Sequence, residues 1–162
     1  MNSDQTSYLL AILAHPAFKE GEHWQTRTFT AEQTILEEGE STSSLYLILN
    51  GRARVIANID LGSDKTIHPG FKDLTQHDVF GELSFINDQP HTTNITAVSD
   101  CKIAVIKSES LEQFLNSHPE HGMPFYKEMA KLLALRLHTT NTKAFSLLAW
   151  GLSHQGVNEH FD

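Results

Sequence analysis

Cysteine is nearly missing. Cys101 is the single one among 162 residues, so no disulfide can close within the chain. The fold must rest on its own core, and a reducing cytoplasm is the simplest location for it. Basic charge is also scarce: 12 Lys and Arg stand against 20 Asp and Glu, a net charge of -8, and no basic run occurs. This excludes the electrostatic footprint expected of a nucleic-acid or anionic-membrane binder. Long apolar runs are absent too. Tyr8 to Ala14 follows Asp4, has no positively charged stretch before it and is far shorter than a membrane span, so it reads as part of an amphipathic helix. No P-loop, no Ser-His-Asp pattern and no H-x-H followed by glutamate is found, which points away from an enzyme.

The length and a hydrophobic content of 40% fit one domain with a core and terminal extensions. Leu9, Leu10, Ile12 and Leu13 recur at helical spacing from Ser7 to about Ala14, and His15-Pro16 marks the stop. A second helical turn is expected before Trp24. After Arg27 the texture changes to short β-like runs divided by turn residues. Asn50-Gly51, between Leu45 to Leu49 and Arg52 to Ile59, predicts a type I′ hairpin, since both residues accept positive φ. Alternation at Ala53, Val55, Ala57 and Ile59 predicts one buried face, with Arg52 and Arg54 on the other. Leu61 to Asp64 reads as a further turn. Thr93 to Val98 and Cys101 to Ile106 are expected to pair around Ser99-Asp100, and Cys101 therefore to be buried rather than reactive.

Beyond these strands, Ser108 predicts the cap of a short helix carrying Leu111, Phe114 and Leu115. Ser117-His118-Pro119-Glu120 reads as a capping box, and Pro124 as the first turn of a long helix. Tyr126, Met129, Ala130, Leu133 and Leu137 form one apolar stripe, widened by Leu132 and Leu135. Thr139 to Thr142 is a polar break, after which Phe145, Leu148 and Leu152 prolong the pattern as a bent or separate helix. Gly156 to Asp162 reads as a frayed tail.

Phe80 to Ala97 reads FGELSFINDQPHTTNITA. Gly81, Glu82, Leu83, Ser84, Pro90 and Ala97 resemble the phosphate-binding cassette of the cyclic-nucleotide-binding domain family, which includes the catabolite activator and the regulatory subunits of cAMP-dependent kinase. ILEEGESTSSLYLILNGRARV is similar to the entry of that family's β-roll, so the likeness runs from about Arg27 to Ile106. It implies a mainly β fold with flanking helices: an antiparallel, jelly-roll-like β-roll with an N-terminal helix and C-terminal helices. The corresponding organisation is an N-terminal helical segment over 1–26, the roll over 27–107, C-terminal helices for lid and dimer contact over 108–155, and a tail over 156–162. The resemblance further implies that Glu82 accepts a hydrogen bond from a ribose 2′-hydroxyl. The family's phosphate-pairing arginine is replaced here by His91.

A cyclic phosphate suits a helix N-terminus with outward N–H groups, such as one beginning near Leu83 and Ser84. Pro90 ends that short helix and swings His91, Thr92 and Thr93 back toward the same pocket. Arginine offers a charged bidentate fork, whereas a neutral imidazole offers one donor. The ligand set expected for cAMP or cGMP is therefore Gly81, Glu82, Leu83, Ser84, His91 and Thr92, with weakened affinity; a threonine at this position is linked in the family to cGMP. Arg52 or Arg54 is the alternative cation. The first reading is a non-catalytic cytoplasmic sensor that signals through its C-terminal helices and forms a homodimer through the long one. The second is a degenerate roll that binds no nucleotide and docks another protein. A third, cupin-like metal catalysis, rests on ten histidines, but His118 and His121 are a lone pair at helical spacing and no metal is expected. About twenty residues follow the long helix, too few for a helix-turn-helix, so DNA binding is not expected.

Overall fold

The computed structural model describes residues 7–60, 66–67 and 70–154. Helix α1 (Ser7–Leu13) leads into β1 (Trp24–Phe29), β2 (Thr34–Leu36), β3 (Ser44–Asn50), β4 (Ala53–Ile56), β5 (Ile59–Asp60), β6 (Thr66–Ile67), β7 (Gly70–Leu74) and β8 (Val79–Phe80). The short helix α2 (Glu82–Asn87) precedes β9 (Asn94–Ala97) and β10 (Cys101–Lys107), and α3 (Ser108–Ser117) and α4 (Pro119–His154) close the order. One antiparallel sheet runs β1-β10-β3-β8 and a second runs β2-β9-β4-β7, with β5 and β6 as a small third pair. The segment 14–23 forms turns rather than the expected second helical turn. The turn expected at Leu61 to Asp64 and the tail from Gly156 lie outside the described residues.

β3 and β10, the central strands of the first sheet, are buried on both faces, which is why they read as near-continuous apolar runs, whereas β1 at the edge is largely exposed. Along β3, Leu45 and Leu47 pack with α1, α3 and α4 around Phe18, Phe114, Phe125 and Met129. Tyr46 and Ile48, one residue out of phase, enter the space between the sheets with Leu36, Leu74, Ile95 and Ile103. The molecule is thus layered as helices, first sheet, second sheet. The outer face of the second sheet meets solvent, and there Arg54 alternates with fully buried Ala53.

Two expected hairpins are instead crossings between sheets. β3 pairs with β10 and β8, whereas β4 pairs with β9 and β7, so Asn50-Gly51 is a corner. Gly51 has φ 92°, but Asn50 does not share the positive φ that a type I′ turn requires. A Cβ on Gly51 would lie 2.2 Å from the Asp100 carbonyl, because the Ser99-Asp100 corner packs directly against it. That second corner carries the chain from β9 in one sheet to β10 in the other. Cys101 is buried there, its Sγ 3.0 Å from the Arg52 carbonyl.

The C-terminal helices depart from expectation at their ends. α3 begins at Ser108 with Lys107 as its cap residue and no side-chain cap bond. No capping box forms at Ser117, whose hydroxyl donates back to the Gln113 carbonyl at 2.8 Å. Pro119 instead occupies the first position of α4, where its missing N–H costs nothing, and Pro124 lies inside the helix. Thr139 and Thr142 do not break α4, because their hydroxyls donate to the Leu135 and His138 carbonyls one turn back.

Candidate functional site

The cassette is built where β8 leaves the first sheet. Gly81 takes φ 78° and ψ 10° as the cap of α2, and a Cβ there would lie 2.8 Å from the Tyr46 ring and 2.9 Å from the Ser44 carbonyl. Only glycine fits both constraints. α2 starts at Glu82, slightly earlier than Leu83, and ends after one and a half turns at Asp88, itself left-handed at φ 54°. Past Pro90 the backbone is fastened to the β2–β3 turn: the His91 N–H donates to the Glu40 carbonyl at 3.0 Å and the Gly39 N–H to the His91 carbonyl at 2.8 Å.

His91 is buried, with 7% of its surface exposed. Its Nδ1 lies 3.1 Å from Ser84 Oγ and its Nε2 2.6 Å from Thr42 Oγ1, which in turn lies 3.0 Å from the Tyr46 hydroxyl. Ser84 donates its own proton to the Gln89 carbonyl at 2.7 Å, so Nδ1 carries the imidazole proton and Nε2 accepts from Thr42. Burial pushes the His91 pKa below its ordinary value, against the opposing pull of Glu40 and Glu82. The ring is therefore neutral near pH 7 and both its nitrogens are engaged inside the protein. Burial likewise raises the Tyr46 hydroxyl.

Glu82 is equally buried, at 7%, and faces away from His91 toward α4. Its Oε1 is ion-paired with the Arg136 Nη1, while Arg136 Nη2 donates to the Val79 carbonyl. Arg136 was not singled out from the sequence. The available signal was its spacing: it follows the buried Phe125 and Met129 and the partly buried Leu132 at alternating steps of four and three, a cation set on the apolar, roll-facing stripe. That stripe differs from the expected one, of which Met129 and Leu133 face the roll while Tyr126, Ala130 and Leu137 are exposed.

The six expected site residues divide between two sides of the cassette. Leu83, His91 and Thr92 line an open cavity of about 510 Å³ with Glu38, Gly39, Asn87, Gln89 and Pro90. Gly81, Glu82 and Ser84 are not in that lining. Glu38 is its one formal charge, and no lysine or arginine contributes. Arg54 is not the missing cation: it makes a bidentate pair with Asp73 at 2.6 and 3.0 Å on the outer face of the second sheet, which raises its own pKa and lowers that of Asp73. Arg52 is also exposed. His118 and His121 meet His15 around the Phe114 ring, with centroids 5.1 and 5.3 Å from His15, but no group of three or more His, Cys, Asp or Glu among the described residues is arranged to hold a metal. No described helix is long and apolar enough to cross a membrane.

The geometry agrees with relationships across the chain. The family model for the cyclic nucleotide-binding domain matches residues 26–118, more than half of the sequence. A cAMP-dependent protein kinase regulatory subunit of Colletotrichum orbiculare is 32% identical over 91 residues, which cover 56% of this chain and 22% of that one. A CRP-like cAMP-activated global transcriptional regulator of Mycobacterium tuberculosis is 24% identical over 120 residues, 74% of this chain and 50% of the regulator. The chain thus spans half or less of these relatives' length. Among solved structures, a cyclic nucleotide-binding domain from Methylobacillus flagellatus superposes with a TM-score of 0.69 at 21% identity, covering 90% of this chain and 74% of that one, and shares the fold. With the roll, the Gly81-Glu82 cassette and the matched span in agreement, the chain belongs to the cyclic nucleotide-binding domain family.

Proposed function

We propose that this domain is a non-catalytic cytoplasmic regulatory module that binds a cyclic nucleotide, cAMP or cGMP, weakly at the cassette and signals through α4. The observation that carries this reading is the ion pair between Glu82 of the cassette and Arg136 of α4. A ribose hydroxyl that donates to Glu82 draws on the same carboxylate that holds the helix. Occupancy therefore biases the position of α4, by no more than the ligand's differential affinity for the two arrangements. Weakness follows from His91, which brings no charge to a phosphate. Losing charge-assisted bonds of roughly 1.5–3 kcal/mol lowers affinity by about one to two decades. Thr92, exposed on the cavity wall, is the adjacent hydroxyl for phosphate or purine. The exposed side of α4 is proposed as a homodimer contact.

One observation favours a second reading, a module that binds no nucleotide and docks another protein: Glu82, Ser84 and His91 are already satisfied by side chains and carbonyls of the domain itself. Calorimetric titration with cAMP, cGMP and a cyclic dinucleotide separates the two. The nucleotide reading expects saturable heat and a rise in melting temperature, and His91→Arg is expected to strengthen binding by about tenfold or more. Silence at millimolar ligand in both assays establishes the second reading instead.

A further inference from the structure

The connection from α1 to β1 is folded back on two of its own histidines. His15 Nδ1 accepts from the Ala17 N–H at 3.2 Å, and His23 Nδ1 accepts from the Lys19 N–H at 3.0 Å. A backbone N–H only donates, so each bond requires an imidazole whose Nδ1 carries no proton. An imidazolium, with hydrogen on both nitrogens, can make neither. Between the two bonds lies Phe18, 1% exposed, its ring 5.0 Å from that of His23 and 5.1 Å from that of Phe114. Trp24 joins the same turn, donating from Nε1 to the Phe18 carbonyl at 3.3 Å.

His15 also faces the junction of α3 and α4. Its ring centroid is 5.1 Å from that of His118 and 5.3 Å from that of His121, which are themselves 6.4 Å apart, and all three rings surround Phe114. His118 is further tied to the Phe114 carbonyl, 3.0 Å from its Nδ1. No carboxylate is ion-paired with His15, His118 or His121 among the described residues. Glu22 Oε1 lies 3.9 Å from His23 Nε2, and Lys107 of β10 donates to the Glu22 carbonyl at 2.8 Å. Glu20 is turned to the Thr26 N–H and hydroxyl, and Glu109 of α3 to Gln113. Lys19, Glu112, Glu120 and, on α1, Tyr8 are exposed. The C-terminus of α3 favours a cation at His118 and the N-terminus of α4 opposes one at His121, so the two helix ends offset each other. What remains is like-charge repulsion among three rings at these separations once they are protonated.

We infer that the α1–β1 connection is a proton-released latch on the start of α4. The closed form needs neutral rings, so protons bind preferentially to the open form. The latch is therefore closed at higher pH and released as the pH falls through about 7 to 5, where imidazoles take up protons. Release costs the segment both Nδ1 bonds and sets His15 against His118 and His121. It loosens Phe18, together with Leu9 and Ile12 of α1, from the cluster that they share with Phe125 and Met129 of α4. The proton thereby acts on the helix whose Arg136 holds Glu82, from its other end. The latch does not depend on nucleotide binding.

The chain has two tryptophans, so Trp150→Phe leaves Trp24 as the reporter inside the latch. Its emission maximum is followed from pH 8 to pH 5 in that full-length background and in the same background carrying His15→Asn and His23→Asn. Asparagine keeps an acceptor at the δ position and does not titrate. The expected result is a red shift on acidification with His15 and His23 present and none in the double variant, with circular dichroism unchanged in both. No shift in the background, or an equal shift in the double variant, overturns the latch. If the double variant does not fold, amide hydrogen exchange of the unaltered protein decides. Corrected for the intrinsic pH dependence, residues 15–24 are expected to lose protection by about tenfold or more at pH 5.5 relative to β3, as the loss of two hydrogen bonds requires. Equal protection at pH 5.5 and pH 8 overturns the proposal.

Discussion

Tyr46, Thr42, His91, Ser84 and the Gln89 carbonyl form a chain in which each proton has one direction. Protonating His91 gives Nε2 a hydrogen, so Thr42 must become the acceptor and turn its own proton toward Tyr46. Together with burial, this reversal is the reason the folded protein resists the imidazolium form. The sign of its pH effect follows. The folded pKa lies below the ordinary value of 6.5, so in the window beneath 6.5 the unfolded chain binds the proton first. Stability is therefore complete above pH 6.5 and is lost as the pH falls toward the depressed folded value. Melting temperatures measured from pH 8 to pH 5 should fall more steeply in the parent protein than in His91→Gln, whose amide also offers one donor and one acceptor but does not titrate. Equal slopes would mean that His91 titrates as it does in the unfolded chain.

The corner between β3 and β4 tests the architecture at the level of elements. Gly51→Ala places a Cβ at φ 92° and 2.2 Å from the Asp100 carbonyl, which belongs to the other crossing between the sheets. The φ alone costs about 1–3 kcal/mol, and the clash forces the two corners apart in addition. Gly39→Ala, at φ 83° with nothing within 4 Å of its Cβ, carries only the first cost. Urea midpoints should rank the parent protein first, Gly39→Ala second and Gly51→Ala last; a tie between the two variants would remove the close approach of the corners. The same corner shows what was legible in the sequence. Local features were readable: the apolar runs of β3 and β10, Pro90 after the short cassette helix, and Gly81 where only a left-handed glycine fits. The sheet to which each strand belongs was not, because Asn50-Gly51 is equally compatible with a tight hairpin and with a corner, and long-range pairing decides between them. The cassette residues Glu82 and His91 were identifiable by position. Their partners Arg136 and Thr42 come from distant segments, and Arg136 was concealed because the expected stripe on α4 took in Tyr126, Ala130 and Leu137 beside the roll-facing Met129 and Leu133.

As a whole molecule, the domain ends in a helix that outruns the body it packs on. α4 has 36 residues and so extends about 54 Å at the helical rise. Its N-terminal half buries Phe125 and Met129 in the core, whereas Leu137 is 62% and Leu148 60% exposed. Leu137, Asn141, Ala144 and Leu148 follow steps of four, three and four, the spacing that a two-stranded coiled-coil seam requires, with a small residue at one layer and an asparagine of the kind that favours a single register. Monomers rarely leave apolar surface of this extent uncovered, and a second copy offers the matching seam. The net charge of -8 opposes that pairing, since two like-charged domains approach along one axis. Sedimentation at micromolar concentration is therefore expected to show a dimer that tightens as salt is raised from about 20 to 150 mM, over which the screening length contracts to roughly 8 Å. Leu137→Glu with Leu148→Glu should yield a monomer of unchanged helical content, because neither side chain contributes to the core of the roll. If the parent protein sediments as a monomer at every salt concentration, the seam is not a self-contact. Its exposed leucines would then belong to a different protein, as the second functional reading requires.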